Sequence, residues 1–393
     1  MWNKRAVLAV LLAAACGLSW QYAYAGPFLT LALFPLVLIQ KERRSRFAVA
    51  LAYYLAGSHG IPLASAVFFG PGGHYAEGLA LWISSSVLLA FGWAFADKAW
   101  KAAGVLLFDA LMPPLAFFDW MSPLSAAGVL FPDWGLFGVA TLLIGVSITP
   151  WLSRKRALVF LPVLPILWNL VYLYILAHPD IDTLHRTHGE RLQGIDLHLG
   201  PSTHSILTNF TRLQSWVATA DQYGKAQVLL LPETLLTWWP GNAHYIEQHV
   251  PQGRTWLVGA SIPLKRPGMF ADGIEAVTDR GSKMIFASVL PVPVSMWRPW
   301  HTPTGDSFGH MDYKAFWWQK PRRLDGKTTW AEICYDQLLP FSWLEDTLYR
   351  PKVVLLTNNV WWAKGTGIPH IQRASSWAWS RLSGSTEIEA ENS

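Results

Sequence analysis

Two residues in the second half of the chain have the type and setting that acyl chemistry needs. Glu233 follows Leu229-Leu230-Leu231-Pro232, a short apolar run with strand texture. Layered α/β sheets place functional groups at the C-terminal ends of buried strands. Partial burial there lifts a carboxylate towards the pKa of a usable general base. The same glutamate could instead act as a helix N-terminal acid that stabilises the following segment. Cys334 follows Thr328-Thr329-Trp330-Ala331-Glu332-Ile333, whose β-branched and aromatic residues suit a strand. Strand, cysteine, then turn is the arrangement of a nucleophile elbow. A neighbouring base would then supply the thiolate. The plainer reading of Cys334 is a small buried hydrophobe. Cys16 is the chain's other cysteine, so there is no disulfide framework.

Other polar groups carry less. His185, His188, His198 and His204 are loosely spaced, without an accompanying Cys or carboxylate pattern, and read as a solvated connector. No glycine-rich phosphate loop is present. Neither a metal nor a cofactor is expected. Lys283 reads as a hairpin residue, and Lys314 and Lys320 lie in the loop beyond it.

These residues need elements to hold them. Strands are expected at 192–199, 228–231, 256–262, 329–333 and 353–356, with helices at 203–223 and 369–382. Residues 273–278 and 283–289 flank Asp279-Arg280-Gly281, a hairpin signal. The alternation predicts an α/β layered domain over 191–382. Residues 383–393 read as a polar tail, with its Glu-rich stretch 387–393 frayed.

The first half has a different character. The 393-residue chain is 52% hydrophobic and 15% charged, against about 25% charged for a soluble domain. Its net charge of +5 would suggest a nucleic-acid partner, but the distribution does not. Residues 1–178 hold 11 basic and 6 acidic side chains, whereas 179–393 hold 20 of each. No direct nucleic-acid binding is expected. A bilayer-spanning helix takes about 20 apolar residues, and apolar runs at 6–24, 26–40, 47–69, 78–96, 102–118, 134–152 and 157–177 predict about seven spans over 1–178. Lys4, Arg5, Lys41, Arg43, Arg44, Arg46, Lys98, Lys101, Arg154, Lys155 and Arg156 then all fall on one face, the cytoplasmic one by the positive-inside rule. The expectation is a multi-pass membrane protein with a connector at 179–190 and a C-terminal domain outside the cytoplasm, which in a bacterium means the inner membrane and the periplasm. Its 23 tryptophans include pairs at 238–239, 317–318 and 361–362, suited to a surface resting on lipid headgroups.

Taken together, the motifs resemble a known superfamily. Leu231-Pro232-Glu233-Thr234, Ile333-Cys334-Tyr335-Asp336 and Leu356-Thr357-Asn358-Asn359-Val360-Trp361-Trp362 resemble the three signature blocks of the nitrilase, or carbon–nitrogen hydrolase, superfamily. Leu192-Gln193-Gly194 resembles its first strand, and Phe270 through Gly281 its central hairpin. A multispan half ahead of such a domain resembles apolipoprotein N-acyltransferase, which acylates the N-terminal cysteine of lipoproteins. Pro291 through Trp300 looks more like a plasmid-encoded subgroup that serves conjugal transfer.

The resemblance implies a multispan α-helical membrane domain followed by an αββα nitrilase-like sandwich. It implies Glu233 as general base, Cys334 as nucleophile, and Asp336 and Asn358 in support. The partners implied are the lipid bilayer, a lipid-bearing or envelope amide substrate, and the conjugation machinery. The family's third catalytic group is a lysine. Registering on Pro293 puts Ser288 at that position, leaving Lys314, Lys320 and Lys283 as candidates. Asp336 stands where the acyltransferases carry glutamate. Ending soon after 369–382, the chain is expected to lack the family's final strands and the acyltransferase's last span. Three readings stay open: a Cys-dependent enzyme, a catalytically degenerate fold that docks other envelope proteins, and, least favoured, a transporter.

Overall fold

A computed structural model describes residues 4–22, 24–69, 74–148, 169, 191–201, 205–223, 225–237, 239–301 and 312–393. The seventh expected span apart from Asn169, the basic cluster at 154–156, the connector, His185, His188, His204 and Trp238 lie outside them. The chain divides into two compact units: residues 1–178, 338–350 and 363–385, and residues 179–337, 351–362 and 386–393.

The first unit is helical. Helices occupy Lys4–Leu18, Arg43–Gly57, Ile61–Phe68, Tyr75–Trp93, Ala99–Leu111 and Leu136–Ile148. Pro340–Tyr349 and Ile368–Ser383 belong to the same unit. Among the described residues, Tyr75–Trp93 is long and apolar enough to cross a membrane, and Arg43–Gly57 with Ile61–Phe68, bent by 42°, makes a second if the pair is one span. Local breakers cut two of the expected runs into shorter helices. Gly60 and Pro62 interrupt the third, and Pro113-Pro114 stops the fifth just past Leu111.

Small residues let these helices approach closely. A Cβ on Gly17 would lie 2.1 Å from the Tyr53 carbonyl oxygen, and one on Gly128, in the short helix Ala126–Leu130, 1.7 Å from that of Ala378. Arg46, expected in a cytoplasmic loop, is buried near the start of its helix. Its guanidinium donates to the carbonyls of Gln40, Lys41 and Ala94. Phe91, Phe108, Phe137 and Ile144 face outward.

The second unit is built on two sheets. In the first, β1 (Leu192–Gly194), β2 (Val228–Leu230) and β3 (Thr255–Pro263) run parallel, and β4 (Met269–Thr278) and β5 (Gly281–Ala287) complete an antiparallel meander. β6 (Asp312–Tyr313) pairs with the start of β4. In the second sheet β7 (Arg322–Leu324), β8 (Lys327–Ile333), β9 (Val353–Asn359) and β10 (Thr386–Asn392) lie in the order β10-β9-β8-β7. The tail expected to fray is therefore β10. It pairs in parallel with β9 along its whole length, and Ala390 and Asn392 are buried.

Strand periodicity builds the layers. Leu230, Leu257 and Ile274 turn one way and pack with Ala331, Ile333 and Leu355 of the second sheet. Leu229, Leu231 and Val258 turn the other way, towards Trp216 and Val217 on the helix Ile206–Gln222. Both candidate residues stand where strands run out, Glu233 beyond β2 and Cys334 beyond β8.

Candidate active site

Cys334 follows β8 and opens the tight turn Cys334–Leu338 with φ of +48°. A non-glycine residue rarely enters this left-handed region, and holding it there costs about 1–3 kcal/mol. The sequence predicted an elbow, and the backbone forms one. The thiol is buried and within hydrogen-bonding reach of the Glu233 carboxylate.

Glu233 reaches this place through Leu231-Pro232, and the backbone turns at Thr234, with φ of +46°. Gly259 on β3 makes room, since a Cβ there would lie 2.6 Å from the Glu233 Cα. The Glu233 side chain is 5% exposed. Its Oε2 has no hydrogen-bond partner among the described residues. Burial pushes Glu233 up to about 7, opposed by contacts from Cys334, Thr234, Asp272 and the Asn359 backbone N–H. A carboxyl poised near neutrality suits a general base. Burial, then the Glu233 and Asp272 carboxyls, push the Cys334 thiol well up. The resting thiol is thus neutral, and a thiolate forms only as the base takes its proton.

Asp272 is the member that the sequence did not single out as chemistry. It sits in β4 and is 2% exposed. Thr234 Oγ1 lies 3.1 Å from Glu233 Oε1 and 3.2 Å from Asp272 Oδ1, joining the two carboxyls. Burial drives the Asp272 carboxyl well above the usual range, and Glu233 and Asp336 push it further.

Asp336 holds the turn that follows β5. Its Oδ1 accepts from Ser288 Oγ at 3.0 Å and the Leu290 N–H at 2.9 Å, and its Oδ2 from the Val289 N–H at 2.9 Å. Burial lifts it only to about 6, because these donors favour the anion. Ser288, at the position of the expected lysine, is thus committed to Asp336. Asn358 and Gln337 exchange reciprocal amide hydrogen bonds at 2.8 and 3.3 Å. The residue that addresses the site itself is the next one, through the Asn359 N–H.

The candidate lysines are not brought in. Lys283, Lys314 and Lys320 are all exposed, and the Lys314 ammonium stands 5.1 Å from the centre of the Phe316 ring. No lysine is among the groups that chiefly act on Glu233, Asp272 or Cys334. Among the described residues, no group of three His, Cys, Asp or Glu side chains is placed to hold a metal.

The tryptophans divide. Trp330 is fully buried, whereas Trp300 and Trp318 are 67% and 75% exposed. Trp297 packs perpendicular to Trp317 at 5.5 Å. Buried Asp312 anchors the Trp297–Trp300 loop, accepting from Arg298 Nη2 at 2.6 Å and lying 2.5 Å from His301 Nδ1.

No protein-family model matches the chain. Two curated relatives do. The chain is 30% identical to "Probable conjugal transfer protein TraB" of Sinorhizobium fredii over 355 residues, 87% of this chain and 86% of the relative. It is 28% identical to "Conjugal transfer protein TraB" of Agrobacterium fabrum over a 421-residue alignment, covering 99% of this chain and 93% of the relative. At this identity and coverage, the chain belongs to the TraB family of conjugal transfer proteins.

Proposed function

We propose that the chain is an inner-membrane component of plasmid conjugal transfer. Its second unit acts as a nitrilase-like, Cys-dependent amide hydrolase or acyltransferase on an envelope substrate at the periplasmic face. The conjugal role rests on the names of the two relatives. The multi-pass topology rests on the apolar runs and one-sided basic residues of the first half. The observation that carries the chemistry is the elbow at Cys334, which sets a strained cysteine against a glutamate poised near neutrality.

The chemistry follows from that pair. Sγ adds to a carbonyl carbon, the π pair moves to oxygen, and the thiol proton passes to Glu233. The tetrahedral adduct collapses, its C–N or C–O bond breaks, and the leaving group takes the proton from Glu233. Water or an amine then attacks the thioester, gives a proton to Glu233, and Cys334 leaves and recovers it. Exposed Trp300 and Trp318 suit a lipid-bearing substrate delivered from the headgroup layer.

Cys334→Ala tests this reading. It should lower conjugation frequency at least tenfold while the protein still accumulates in the membrane. Wild-type transfer from that variant would favour a docking role instead. The docking reading draws on the exposure of the three candidate lysines, Lys283, Lys314 and Lys320. Under it, losing Trp300 and Trp318 should impair transfer and losing Cys334 should not.

A further inference from the structure

The unexplained group is Asp272, a second buried carboxyl beside the base. Thr234 Oγ1 is within hydrogen-bonding distance of both Glu233 Oε1 and Asp272 Oδ1. A hydroxyl has one proton to give. Two ionised carboxylates would therefore leave one of these contacts without a proton. They would also bury two like charges together, which adjacent carboxyls avoid by sharing a proton. The groups facing Asp272 do not relieve this. Glu233 comes from the loop after β2, and Cys334 and Asp336 come from the elbow. Tyr313 comes from β6, its hydroxyl paired with Ser261 Oγ at 2.7 Å. The Asn359 N–H addresses Glu233 and Cys334 and is not among the groups that chiefly act on Asp272, which favours Glu233 as the anion of the pair.

We infer that Asp272 is a neutral carboxylic acid that donates to Thr234 Oγ1, whose hydroxyl then donates to Glu233 Oε1, so that Glu233 alone carries the negative charge beside Cys334. Asp272 is thus a positioning residue. It fixes which carboxyl carries the negative charge and so which one receives the thiol proton, in a site whose resembled family uses a lysine. The inference rests on the reading of Glu233 and Cys334 as base and nucleophile.

The test uses the full-length protein in native membranes with Cys16→Ser, which leaves Cys334 as its one thiol. Iodoacetamide alkylates Sγ as iodide leaves and the thiol proton passes to Glu233, so the rate against pH reports the base. Asp272→Ala and Thr234→Val should each move the midpoint upward by about one pH unit, a tenfold change in ionisation. Asp272→Asn, which can still donate to Thr234, should rescue the wild-type midpoint. A downward shift in Asp272→Asn would mean that an anion had been removed, and would overturn the inference. So would an unchanged midpoint in Asp272→Ala.

Infrared difference spectra give a second reading that needs no reagent access. The wild type at pH 7 should show a carboxylic-acid C=O stretch that Asp272→Asn removes, and its absence would refute the inference. Wild-type transfer by Cys334→Ala with that band present would refute the enzyme reading alone.

Discussion

Gly259 lies directly beneath Glu233. A Cβ at Gly259 would stand 2.6 Å from the Glu233 Cα and 2.3 Å from the Pro232 carbonyl oxygen. The position of the base thus depends on a missing side chain in the neighbouring strand. Gly259→Ala should push the Pro232–Thr234 backbone aside and cost about 1–3 kcal/mol, the usual range for overpacking. Transfer frequency should fall with the melting temperature. An unshifted melt with full transfer would show that the loop needs no such gap.

Stability should fall as pH rises towards neutrality and level off above it. Glu233 is held at about 7 and Asp336 at about 6, above an ordinary carboxyl near about 4. Between about pH 4 and 7 the folded chain therefore holds more protons than the unfolded one, and stability drops with pH. The slope is at most about 1.4 kcal/mol per pH unit for each group. Melting curves in detergent from pH 5 to 8 would check this, and Glu233→Gln should flatten the upper part. A melting temperature that climbs over that range would contradict it.

The C-terminal strand should matter to the site. Asn392 accepts the Val360 N–H at its carbonyl and donates from Nδ2 to Asn359 Oδ1 at 2.9 Å. Asn359 in turn directs its N–H at Glu233 and Cys334. Truncation after Ser385 removes β10 and should make 351–362 protease-sensitive. Asn392→Ala should cost about 1–2 kcal/mol, the loss of a buried hydrogen bond. If the truncated chain accumulates and resists protease like the full one, β10 is dispensable.

Sidedness has a direct readout. Arg280 is exposed in the turn between β4 and β5. With the second unit in the periplasm, trypsin added to intact spheroplasts should cut there. Cleavage only after permeabilisation would reverse the proposed orientation.

Local pattern was enough to single out Glu233 and Cys334, the two residues that the fold brings together. Leu229-Leu230-Leu231-Pro232-Glu233 and the strand, cysteine, turn sequence around Cys334 are short-range signals, and they lie where sheets end. Hydropathy was enough to find the apolar half, although Gly60, Pro62 and Pro113-Pro114 shorten its helices.

Tertiary structure decided the rest. Thr386–Asn392 reads as an acidic tail because Glu387, Glu389 and Glu391 alternate with its inward residues, and only pairing with β9 makes it a strand. Asp272 looks like any polar residue near a hairpin until the β3–β4 register and the packing of two sheets bury it beside Glu233. Lys283, Lys314 and Lys320 had the right charge for the site, yet stay exposed. The physical reason is common to all three cases. Residue type and spacing set what a side chain can do, while its burial and its neighbours come from strands far apart in the chain.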